Sequence, residues 1–237
     1  MFNKNIFDDD GLDFNFWPAF TDLMLSITLI MCALLIVKFG VKAVDLQNKQ
    51  ESNKAIIAEI SNSIKKNYNN IITNETTNSI LISDGANAIM KIKYENDYQQ
   101  ISFYENILFE QGNSNLIDKG KSVLIIVGNA LKHKSKNITL IQIEGHTDNV
   151  PIKNGNLYLG ANRAMNVYTF FKDQVGLDPA TTLMSATTFG EFMPVDRKED
   201  APYSAASLEK ANDESAKMAS NRRIELRVFF SSHKASN

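Results

Sequence analysis

The stretch that most limits how this chain can fold runs from Trp17 to Val37. It carries one formal charge, Asp22. At about 1.5 Å of rise per residue, a helix of this length spans roughly 31 Å, about one hydrocarbon thickness. A carboxylate within a membrane helix costs about 2.5–3.5 kcal/mol at the helix centre on insertion scales, so a chain keeps one where it faces a partner or an ion path. On a helical wheel Asp22 shares a sector with Thr21, Ser26, Thr28, Cys32 and Ala33, together with Leu25, Leu29 and Ile36. Leu23, Met24, Ile27, Ile30, Met31 and Leu34 fill the opposite sector. The first face suits close helix packing and the second suits lipid. The plainer alternative leaves Asp22 near the headgroups without a role.

The chain has 237 residues, which beyond the span and a polar stretch leaves room for one ordinary domain of ~140 residues. A net charge of −2 gives no nucleic-acid footprint. The single cysteine, Cys32, lies within the span, so no internal disulfide is possible and no zinc spacing exists. Asp8, Asp9, Asp10 and Asp13 precede the span against Lys4, unlike the basic start of a cleaved signal, so the span reads as an uncleaved anchor. Lys38, Lys42, Lys49 and Lys54 follow it, and the positive-inside rule alone would place the C-terminal side in the cytoplasm.

Four segments result. Residues 1–16 form an acidic tail, 17–37 the membrane helix, 38–78 a polar linker and 79–237 a globular domain. In the linker Ile57, Ile60, Ile64 and Ile71 recur at helical spacing, which fits either a continued helix or a solvated tether. In the domain, strands are predicted near 80–83, 88–94, 98–104, 137–144, 182–188 and 224–230, with helices over 116–131, 156–175 and about 207–218. Residues 137–144 are mostly apolar on both faces, as in a buried central strand. The order predicts an α+β fold with helices packed on one mixed sheet.

The run Gly145 to Pro151 (GHTDNVP) follows that central strand directly, placing Asp148 in a loop at its C-terminal end. Asn156, Leu159 and Arg163 come on the next helix, and Asn221 to Glu225 (NRRIE) much later. An acid and a guanidinium on adjacent elements can grip a zwitterion, the carboxylate taking an ammonium and the arginine forking onto a carboxylate. A structural Asp–Arg bridge explains the same spacing equally well. His146 reads as a structural histidine, since no acid–His–nucleophile set accompanies it; neither an enzyme active site nor a metal site is expected.

Taken together, residues 107–112 (ILFEQG), Leu116, Gly120, residues 144–151 (EGHTDNVP), 159–164 (LGANRA) and 221–225 (NRRIE) resemble the OmpA-like peptidoglycan-binding domain over about residues 99–230. The resemblance implies that Asp148 and Arg163 grip the diaminopimelate of the peptide stem, with Thr147, Asn156 and Arg222 lining the same pocket. Gly160 stands where that family usually has Ser. Residues 16–24 (FWPAFTDLM) are similar to the membrane signature of MotB-type stator subunits. That likeness implies an ion-binding role for Asp22, with H+ or Na+ as the transported ion and no other cofactor. It further implies a homodimer inside a ring of five MotA-like multi-span subunits, an N-terminus in the cytoplasm and a periplasmic domain on the wall, at the inner membrane. The acidic tail and Pro18 depart from flagellar members and favour the ZorB-like subunit of the Zorya anti-phage system; a flagellar stator and a passive wall anchor are the alternatives.

Overall fold

The computed structural model describes residues 16–68, 71–76, 79–85, 87–95, 98–198 and 202–231. The expected acidic tail lies outside the described residues except for Phe16. The chain divides into two compact units, Met1–Leu46 and Gln47–Asn237, and the first helix, α1 (Trp17–Asn67), contributes to both.

In the first unit, Trp17–Val44 is a helical stretch long and apolar enough to cross a membrane, with a mean hydropathy of 2.3. It runs past the Val37 boundary expected from sequence because Lys38 and Lys42 are isolated among Phe39, Val41 and Val44. Trp17 stands edge-on to Phe20 at 6.1 Å, an aromatic cluster at the start of the apolar run. The hydroxyls of Thr21 and Thr28 donate to the carbonyls of Pro18 (2.9 Å) and Met24 (2.7 Å), which satisfies them within their own helix.

In the second unit the core begins earlier than Ser79. Ile56, Ile60 and Ile64 are fully buried and belong to the same apolar cluster as the strands. Their i, i+4, i+8 spacing places them on one helical stripe. That spacing alone does not distinguish a seam with a second chain from a stripe docked on the chain's own core. The helix ends at Asn67 with Lys65 and Lys66 in its last turn, where cations suit the dipole. An edge strand that the sequence reading lacks, β1 (Ile71–Glu75), follows it.

The remaining elements are β2 (Ser79–Asp84), β3 (Asn87–Tyr94), β4 (Tyr98–Tyr104), α2 (Glu105–Leu108), α3 (Asp118–His133), β5 (Ile138–His146), α4 (Asn156–Phe170), β6 (Leu183–Gly190), α5 (Ala205–Lys210), α6 (Ser215–Asn221) and β7 (Arg223–Phe230). They form a mixed α+β fold on a seven-stranded sheet of order β1-β2-β3-β4-β7-β5-β6. All neighbours are antiparallel except β5 and β6, which the helical crossover through α4 makes parallel. The helix expected over 156–175 is α4 continued by a wider turn, Phe171–Val175, and stopped by Gly176 at φ 73°. The helix expected over 207–218 is two short ones, α5 and α6. The buried amide of Asn221, the last residue of α6, reaches back to donate to Ala211 O (2.8 Å) and Asn212 Oδ1 (2.9 Å), side-chain bonds that fix the turn between the two helices.

One face of the sheet supplies Ile82, Met90, Ile92, Ile101, Phe103, Ile141, Ile143, Leu226 and Val228 to a core shared with Val123, Leu124, Val127 and Leu131 of α3 and Ala164 and Val167 of α4. Burying each such aliphatic side chain contributes about 1.5–3 kcal/mol. β5 is an interior strand but not the central one expected, since it lies between β7 and the edge strand β6. At its C-terminal end, however, its second face carries buried Glu144 and His146.

Candidate site at the ends of the central strands

The strand order brings distant residues together. Tyr104 at the end of β4 and His146 at the end of β5 both pair with Arg223 at the start of β7. Glu105, Arg222 and the Thr147–Asp148 loop therefore leave the sheet side by side. Glu105 N donates to Arg222 O at 3.0 Å, which fixes two of these backbones.

A chain of ion pairs links the side chains. Arg222 donates from Nη1 to Asp148 Oδ2 (2.6 Å) and from Nε to Glu105 Oε2 (2.6 Å). Glu105 Oε1 accepts from Arg163 Nη2. Arg163 also donates from Nε to Asn113 O (2.8 Å) and lies over the Phe109 ring, 5.1 Å from its centroid. Asp148 thus pairs with Arg222, and Arg163 pairs with Glu105. Arg163 is 1% exposed, whereas a quarter of the Arg222 side chain remains open to solvent. Burial pulls the Arg163 pKa down, against the Glu105 carboxylate. Burial also opposes the charge on Arg222, but its bond to Asp148 and the nearby Glu105 outweigh it and the pKa is raised.

The other expected residues converge on the same loop. Asn156 Nδ2 donates to Asp148 O at 3.2 Å, and Val150 N donates to Asp148 Oδ1 at 3.2 Å. Thr147 N donates to Gly190 O at 3.0 Å, while its buried hydroxyl has no hydrogen-bond partner among the described residues. Glu105 is the residue that sequence reading missed. Its only local signal is a charged residue directly after an alternating strand; its role depends on two arginines 58 and 117 positions away.

Close backbone approach makes this geometry possible. A Cβ on Gly145 would lie 2.0 Å from Gly160 O, and one on Gly160 would lie 2.3 Å from Thr188 Oγ1. Two glycines thus let α4 rest directly on β5 and hold Asn156 and Arg163 near the loop.

On the other face of β5 is a second buried polar group. Glu144 lies opposite Glu225 in the β5–β7 register. His146 Nε2 is 3.4 Å from Glu144 Oε2 and 3.9 Å from Glu225 Oε2. Arg223 Nε bonds Glu225 Oε1 (2.5 Å), and Arg227 Nη2 is 3.3 Å from Glu144 Oε2. Burial pushes the His146 imidazole down, with Glu144 opposing. Burial would raise Glu225, but Arg223 and His146 outweigh it and hold its carboxyl below the usual range. His146, read as a lone structural histidine, therefore sits in a charged cluster that the spacing in sequence did not reveal.

The OmpA family matches residues 108–206. Among solved structures, a MotB periplasmic domain is 18% identical, covering 69% of this chain and 76% of that one with a TM-score of 0.50. The Helicobacter pylori MotB periplasmic domain is 18% identical, covering 67% and 87% with a TM-score of 0.49. The cell wall anchor of the type VI secretion system from Pseudomonas aeruginosa is 18% identical, covering 74% and 97% with a TM-score of 0.47. No curated protein matches the chain. After its N-terminal apolar helix, the chain carries an OmpA-like domain, with helices packed on a mixed sheet and structural similarity to MotB periplasmic domains.

Proposed function

We propose that this chain is the wall-anchored stator subunit of an ion-driven inner-membrane motor, of the ZorB-like type found in Zorya anti-phage systems. The observation that carries the reading is the pairing of an acid, Asp22, within the apolar helix with an OmpA-like domain in the same chain. A passive anchor needs no intramembrane carboxylate, and such a group is costly unless it serves an ion or a partner. In this reading two copies sit inside five MotA-like subunits, the N-terminus is cytoplasmic and the OmpA-like domain is periplasmic. H+ or Na+ passing Asp22 alters the helix-to-partner contact once per step.

The wall ligand is the zwitterionic end of a peptidoglycan stem. Asp148 and Arg222 form a closed ion pair at the more exposed end of the network. A ligand ammonium replaces Arg222 on Asp148, and the released guanidinium takes the ligand carboxylate. Thr147 and Asn156 hold the loop, and Arg163 supports the pocket from within through Glu105.

Co-purification from membranes with the product of the neighbouring gene, counting subunits, tests the motor. Five partners around two copies supports it, and a chain that purifies alone returns it to a passive anchor. Asp22→Asn is expected to abolish function with assembly intact; full activity in that variant rejects the ion role. Asp148→Ala combined with Arg222→Ala, which leaves the buried Arg163–Glu105 pair in place, is expected to lose peptidoglycan pull-down. Unchanged binding rejects the pocket.

A further inference from the structure

The cluster of Glu144, His146 and Glu225 lies apart from the Asp148–Arg222 pair, on the sheet face opposite the apolar core. Each of these residues is at most 4% exposed. Two carboxylates directly opposite each other on neighbouring strands repel, and burial strengthens the repulsion. Arg223 and Arg227 each engage one carboxylate oxygen. Even so, Glu144 Oε1 and both ring nitrogens of His146 are buried without a hydrogen-bond partner among the described residues. Buried polar atoms are rarely left in that condition, and an ion is one of the few things that resolves it.

We propose that Glu144, His146 and Glu225 bind a divalent transition metal, with Zn2+ as the ion whose ligand preferences they fit. One ligand atom from each residue falls within 4.8 Å of the other two. A tetrahedral ion with bonds of about 2.0–2.2 Å holds its ligand atoms roughly 3.3–3.6 Å apart. The 3.4 and 3.9 Å separations from His146 Nε2 approach that spacing without rebuilding the backbone. Ca2+ and Mg2+ want six or more oxygens, which three side chains including an imidazole do not supply. All three ligands stand on β5 and β7, interior strands of the sheet, so the site is preorganised.

The arginines set the terms of binding. Arg223 orients Glu225 through the oxygen that the metal does not need, as outer partners of ligating carboxylates do. Their two charges already balance the two carboxylates, so a dication leaves the cluster positive. A hydroxide or small anion in the fourth position removes one of the two excess charges. It would enter from the cavity of about 270 Å³ that Glu225, Arg223 and Arg227 line.

The test uses the untagged full chain in detergent, stripped with a chelator, incubated with Zn2+ and passed through gel filtration before metal is counted. One zinc per chain is the expected result. Glu144→Gln and Glu225→Gln, each isosteric, should lower retention at least tenfold, whereas His133→Gln should keep it. A wild-type chain that retains no zinc overturns the site, as do folded Gln variants that retain it like the wild type. Co2+ added to the wild type gives a readout independent of any variant's folding. Intense visible bands of four-coordinate Co2+ support the site, and the weak spectrum of the hydrated ion alone overturns it.

Discussion

Glu105 and Arg163, 58 positions apart in the chain, form an ion pair buried beneath the loop that carries Asp148. The same carboxylate also holds Arg222, so one unforeseen acid anchors both arginines of the candidate site. Neutralising it leaves the Arg163 guanidinium in the interior with no carboxylate hydrogen-bonded to it. Glu105→Gln is expected to destabilise the OmpA-like domain by about 3–5 kcal/mol. Denaturant unfolding of the full chain in detergent, followed by near-UV circular dichroism, measures it. Adding Arg163→Met should recover most of the loss, because removing both charges removes the unpaired one; no recovery would show that the pair does more than balance charge.

Arg222 uses the fork of its guanidinium, with Nη1 on Asp148 and Nε on Glu105. Lysine keeps the charge but has one ammonium to place and no planar fork. In the wall-binding reading, Arg222→Lys should reduce peptidoglycan pull-down at least tenfold while thermal unfolding moves little. Retained binding would mean that charge alone is enough and that the fork is not used on the ligand.

Gly160 is tightly enclosed by its neighbours, since a Cβ there would meet Thr188 Oγ1 at 2.3 Å. That hydroxyl donates to Gly145 O (2.7 Å) and accepts from Gly190 N (2.9 Å), so it is not free to move aside. Gly160→Ser should therefore cost about 1–3 kcal/mol by overpacking. Thr188→Ala opens the space, and the double variant should be less destabilised than the sum of the two singles. A double-mutant cycle with strictly additive energies would refute the contact.

Ile60 is fully buried by the domain, although it lies in a stretch that composition marks as a linker. Ile60→Ala should cost about 2–5 kcal/mol, the usual range for emptying a core site of this size. Ala58, exposed on the same helix, is the control, and Ala58→Ser should leave the unfolding midpoint nearly unchanged. Equal stability of the Ile60 variant and the wild type would return this helix to the role of a tether.

Sequence alone determined the features that rest on local pattern. An apolar run whose one formal charge is Asp22 defined the helix able to cross a membrane, because bilayer thickness converts directly into residue count. Alternation placed Ile224, Leu226 and Val228 on the core side of β7, and Gly176 stopped the helix after α4, because each depends on the geometry of neighbours in the chain. Only the tertiary structure decided which charges meet. Asp148 and Arg163 are close in sequence, yet β7 enters the sheet between β4 and β5 and sets Arg222 beside both Asp148 and Glu105, while Glu105, at the end of β4, takes Arg163. The same insertion sets Glu225 against Glu144 and turns a lone histidine into part of a buried cluster. Strand order is a long-range property, and no local spacing encodes it.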